Sequence, residues 1–121
     1  MHYTPNGRET RDATRVGVWF ADSGDVTHEV TTRVALNHDF EIPPGVKDHQ
    51  VDLRLARFYT ESQLLSATPH MHLRGKSFRL AIPRGEQLET LLHVPRYDFN
   101  WQHTYHFRVP IPLAEAPALE M

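Results

Sequence analysis

The chain has 121 residues, with 13 Lys and Arg against 15 Asp and Glu for a formal net charge of −2. That length suits one domain over residues 1–121, and 40% apolar with 23% charged residues is a globular composition. The charge lacks the cationic excess of a nucleic-acid binder, and no apolar run approaches the roughly 20 residues that span a bilayer.

The opening MHYTPNGRET carries neither the basic nor the apolar region of a secretory signal. Cys is 0, which excludes disulfides, thiolate metal sites and cysteine nucleophiles together. It leaves the compartment open, since a periplasmic or secreted protein can also be without cysteine.

In chain order, the first element is a turn at Thr4-Pro5-Asn6-Gly7. Val16, Val18 and Phe20 then alternate with Arg15, Gly17 and Trp19, which predicts a half-buried strand. Asp22-Ser23-Gly24-Asp25 predicts a turn, and the Thr- and Val-rich stretch from His28 to Leu36 a second strand. After the turn at Pro43-Pro44-Gly45, Val51, Leu53 and Leu55 alternate with Asp52, Arg54 and Ala56 as a third. Phe78, Leu80 and Ile82 predict a fourth, ended by Pro83-Arg84-Gly85. Trp101, His103, Tyr105, Phe107 and Val109 share one face of a fifth, with His106 on the other.

No segment has helical periodicity, so the expected fold is all-β: an antiparallel β-sandwich, jelly-roll-like, and incomplete at both ends. His2-Tyr3 reads as the end of one strand and Ala118-Leu119-Glu120-Met121 as the start of another. An incomplete sandwich exposes ladder groups along an open edge, which predicts self-association.

The 9 histidines carry the chemistry. In an extended backbone, residues i and i+2 project from one face, so His70 and His72 present two imidazoles to one point while Met71 faces away. Two neutral imidazoles suit copper, zinc, iron or nickel. A bare H-x-H in a β-rich chain more often marks two partly exposed histidines than a metal site. His93 and His103 flank the loop Pro95–Asn100 and are placed to face each other, as ligands or as incidental packing. His28, His38 and His49 read as surface groups. Phosphate-binding glycine loops and nucleophile elbows are missing.

Several segments together resemble the copper type II, ascorbate-dependent monooxygenases, the family of the peptidylglycine α-hydroxylating and dopamine β-monooxygenases, in its bacterial branch. They are His2-Tyr3, Ile42-Pro43-Pro44-Gly45, His70-Met71-His72-Leu73-Arg74-Gly75-Lys76 and Pro95-Arg96-Tyr97-Asp98-Phe99-Asn100-Trp101-Gln102. The resemblance implies two jelly-roll-like domains with one copper each, of which this chain covers mainly the C-terminal, oxygen-activating one. It implies that His70 and His72 are ligands and catalytic residues of the oxygen site, completed by a methionine beyond residue 121. It implies that His2 is the last histidine of the electron-transfer copper.

The parent protein would then hydroxylate a C–H bond of an unidentified small molecule or peptide with O2 and a reductant such as ascorbate. This stretch alone, with part of each ligand set, would be inactive. Thr68 stands where peptide-amidating members have a carboxylate-gripping arginine, which argues against a glycine-extended peptide. Two other readings remain: a non-catalytic module binding metal or protein, and a carbohydrate-binding sandwich using Tyr97, Phe99 and Trp101.

Overall fold

The computed structural model describes residues 5–59, 61–114 and 118–121. The chain divides into two units, Met1–Thr32 and Arg33–Met121.

The second unit holds all the strands among the described residues. These are β1 (Arg54–Ala56), β2 (Gln63–Ala67), β3 (Phe78–Arg84), β4 (Gln87–Val94), β5 (Tyr105–Pro112) and β6 (Ala118–Glu120). They form a four-stranded sheet in the order β1-β6-β3-β4 and a two-stranded sheet of β2 and β5, with every pairing antiparallel. The fold is all-β and sandwich-like, as expected, and no helix among the described residues is long and apolar enough to cross a membrane.

The alternation in β3 explains its central place. Leu80 and Ile82 project to one face and are buried together with Leu113 and Leu119. Leu64, Ala67 and Phe107 of the two-stranded sheet pack against that cluster, as do Leu55, Phe78, Leu91 and Leu92 from the four-stranded one. The core is therefore the space between the two sheets.

β3 turns into β4 through Gly85-Glu86, the two residues between the Arg84↔Gln87 pair. Gly85 has φ 61, the positive value that a type II′ hairpin requires at its first loop residue. Pro83 is tolerated beside it. In such a hairpin the pair Pro83↔Leu88 exchanges no ladder bonds, and β6 reaches β3 only at Ala81.

Two irregularities shape the sheets. Opposite β3 the register slips by one residue between Leu80 and Ala81, leaving Leu91 unpaired as a bulge. Between β2 and β5 it slips between Leu64 and Ser66, where the partners jump from Ile111 to His106. Pro110, which has no N–H to donate, lies in the slack.

Three expectations are corrected. Residues 15–20 and 28–36 form no strand, although both alternate as a strand should. Their large apolar side chains are exposed: Trp19 is 90% and Phe20 92%. In the second unit Arg33 and Asn37 bind backbone through their side chains instead. Arg33 Nη1 donates to Ala56 O at 3.2 Å and Arg57 O at 2.9 Å, and Asn37 Nδ2 to Asp52 O at 3.0 Å. Third, the strand expected over 51–56 shortens to Arg54–Ala56, ending where Arg57 takes φ 66.

The turns hold up better. Asp25 N–H donates to Asp22 O at 2.9 Å, and Val46 N–H to Pro43 O at 3.4 Å across Pro44-Gly45. Ala118–Glu120 is a full member of the sheet, inserted between β1 and β3.

Candidate metal centre

His70, Met71 and His72 lie in the loop joining β2 to β3, just past the last β2–β5 pair rather than within a strand. Thr68 extends the approach: its hydroxyl shares a 2.8 Å hydrogen bond with that of Thr104, on the entry to β5. The H-x-H loop and the loop before β5 are thus tied at their base.

The two imidazoles come together all the same. Their centroids are 5.4 Å apart with planes at 88°. Phe99, in the loop between β4 and β5, contacts both, at 6.4 Å from His70 and 6.3 Å from His72. Both histidines are exposed and Phe99 is half-buried beneath them.

A metal bound to an imidazole nitrogen at about 2 Å sits roughly 3 Å from the ring centre. Rings 5.4 Å apart are therefore close enough to share one ion. Neutral imidazole is an effective ligand for copper, so the pair fits the group as two of its ligands. Among the described residues no third His, Cys, Asp or Glu joins them.

The backbone between the rings is clamped from below. The Tyr97 hydroxyl accepts from Met71 N–H at 3.0 Å and donates to Met71 O at 2.8 Å, satisfying both backbone polar groups of that residue. Past His72 the chain reverses in a turn closed by Gly75 N–H on His72 O at 2.8 Å. A Cβ on Gly75 would lie 2.6 Å from Met71 Cβ and 2.9 Å from Tyr97 Cδ1, so only glycine fits.

Tyr97 is itself set by its N–H on Lys76 O at 2.9 Å. Lys76 also pairs with Asp48, both side chains being exposed. Met71 Cβ therefore faces Gly75 while the histidine rings meet Phe99, which agrees with methionine and histidines projecting apart.

The remaining histidines are dispersed. His103 stacks on Trp101 at 5.7 Å and meets Tyr105 edge-on at 5.4 Å, rather than facing His93. The three rings follow one another as the alternation suggests, but the strand expected from Trp101 begins only at Tyr105. His93 lies across β4 from Arg79, and His106 across β5 from Ser66. His28 Nδ1 shares a 2.9 Å hydrogen bond with Thr27 Oγ1. His2 lies outside the described residues.

Tyr97, Phe99 and Trp101 form no common ring platform. Tyr97 and Phe99 serve the H-x-H loop, and only Trp101 is exposed. The sequence reading missed Gln102, whose Oε1 lies 2.7 Å from His70 Nδ1. Nothing local marks it, because its partner lies 32 residues away in sequence, on the neighbouring loop. A separate open cavity of about 470 Å³ lies on the four-stranded sheet, lined by Arg54, Arg79, Ala81 and Glu120 among others, away from the histidines.

Comparison of the chain with protein-family models, with curated proteins and with solved structures finds no match in any of the three.

Proposed function

We propose that this chain is a copper monooxygenase-like domain in which His70 and His72 hold one copper ion. The larger protein would hydroxylate a C–H bond with O2 and a reductant such as ascorbate. The observation that supports this reading is the pair of exposed imidazoles 5.4 Å apart on a loop clamped at both ends. Copper held by imidazole and a softer ligand supplies one-electron chemistry toward O2, since that donor mixture serves both Cu(I) and Cu(II).

The chain's own residues do the rest. His70 and His72 bind, Tyr97 holds the Met71 backbone between them, and Phe99 gives their inner side an apolar floor. The solvent-facing side stays open for O2 and substrate. With its hydroxyl bonded to Thr104, Thr68 offers no positive charge to a substrate carboxylate. His2, the third histidine in this assignment, would serve a second copper.

The test is Cu(II) titration of the wild-type chain and of the His70→Ala/His72→Ala variant, followed by the copper d–d and EPR signals. Uptake by the wild type with a nitrogen-ligand pattern, lost in the double variant, is expected. Equal uptake by both overturns the assignment.

Copies of the chain would also self-associate. The outer edges of both sheets are unpaired among the described residues, and residues 16–20 expose alternating apolar side chains.

A further inference from the structure

The contact between Gln102 and His70 carries information that ring placement alone does not. Gln102 Oε1 lies 2.7 Å from His70 Nδ1, and the same amide's Nε2 donates to Phe99 O at 3.0 Å. An amide has one donating and one accepting end. The Phe99 carbonyl can only accept, so the NH2 end of Gln102 must face it. Turning the amide over would set two carbonyl oxygens against each other. The end facing His70 is therefore the oxygen, and the hydrogen in the 2.7 Å contact belongs to the imidazole.

We propose that Gln102 is a positioning residue that holds His70 in the Nδ1–H tautomer and thereby presents the unprotonated Nε2 as the metal-binding nitrogen. The inference deepens the copper reading and rests on it for the identity of the metal. The tautomer itself follows from hydrogen bonding within this chain.

Free histidine in water favours the opposite form, with the proton on Nε2, so the preference at His70 has to be imposed. Gln102 imposes it through an anchor at each end. Its amide is pinned to the Phe99 carbonyl, and Phe99 contributes its ring to both histidines. The Phe99–Gln102 segment is shaped by Asp98, whose carbonyl accepts from Trp101 N–H at 2.9 Å and whose Oδ1 accepts from Asn100 N–H at 2.8 Å. One short loop thus supplies both the floor of the pair and the group that selects the ligating nitrogen. Partners of this kind, which hold a ligand histidine by its second nitrogen, typically change metal affinity 10–100-fold when removed.

Two-bond 1H–15N NMR on the 15N-histidine-labelled, metal-free full chain reads the tautomer directly. The His70 ring is expected to give the Nδ1–H pattern in the wild type and to move toward Nε2–H in Gln102→Leu. In Gln102→Glu the carboxylate still accepts from Nδ1–H although it gives up the donation to Phe99 O, so the Nδ1–H pattern is expected to return at least in part, a rescue that a purely steric role would not give. Titration of the same proteins with Cu(II), and with Zn(II) as a redox-inert probe, is expected to show 10–100-fold weaker binding for Gln102→Leu.

An Nε2–H His70 in the wild type, or a pattern that Gln102→Leu leaves unchanged, overturns the inference whatever the copper result. A wild type that takes up neither metal while keeping the Nδ1–H pattern overturns the copper reading instead and supports the role of Gln102 toward His70. If Gln102→Leu unfolds, the tautomer in wild type and in Gln102→Glu still decides the matter.

Discussion

Gly75 occupies a place where a single methyl group would matter. Its missing Cβ is the room that Met71 and the Tyr97 ring use, and two apolar contacts below 3 Å cannot be relieved by a rotamer change alone. Gly75→Ala is expected to lower stability by about 1–3 kcal/mol and to separate the His70 and His72 rings. Ser77→Ala, on the exposed approach to β3, should change neither. Urea unfolding and the histidine ring shifts check this, and unaltered ring shifts in Gly75→Ala would refute the clamp. The pairing of His70 with His72 could be read from the sequence, because two-residue spacing is a local property of extended chain. Tyr97, Phe99 and Gln102 could be named as an aromatic loop but not given their tasks. Their partners lie far off in sequence, and only the meeting of the β2–β3 and β4–β5 loops assigns them.

Among the strands, β6 carries more of the sheet than its three residues suggest. Leu119 is buried opposite Leu55, and Ala118 and Glu120 pair with β1. Leu119→Ala removes that filling and is expected to cost roughly 2–5 kcal/mol, as large-to-small changes in cores do. Leu88→Ala, in exposed β4, should cost well under 1 kcal/mol. Denaturant midpoints compare the two, and equal losses would contradict the placement of β6. Alternation identified β3 and much of β5, where Leu80, Ile82 and Phe107 do face a partner sheet. It missed β2 and β4, whose runs Gln63-Leu64-Leu65 and Leu91-Leu92 break the period; in β4 the break coincides with the bulge at Leu91. It overcalled residues 15–20 and 28–36. A two-residue period records which side chains would share a face, and a strand also needs a neighbour to bond with.

For the molecule as a whole, that absence of a neighbour has consequences. Val16, Val18, Trp19 and Phe20 are all more than half exposed, a cluster of large apolar groups unusual on a soluble surface. Burying such side chains contributes about 1.5–3 kcal/mol each, and unpaired strand edges offer main-chain partners at the same time. Self-association is therefore expected to rise with concentration in sedimentation velocity. Val18→Lys/Phe20→Lys should weaken it, by adding charge to the exposed apolar segment. A wild-type chain that stays monomeric across the accessible range would refute the expectation.

The insertion of β6 between β1 and β3 bears on how the protein is made. The β3–β4 hairpin leaves the ribosome well before Ala118, and its inner face has no complete cover until β6 arrives. At roughly 5–20 residues per second, Leu80 and Ile82 stay accessible for on the order of seconds in each nascent chain. A ribosome stalled between the hairpin and β6 would hold a half-sheet with that apolar face uncovered.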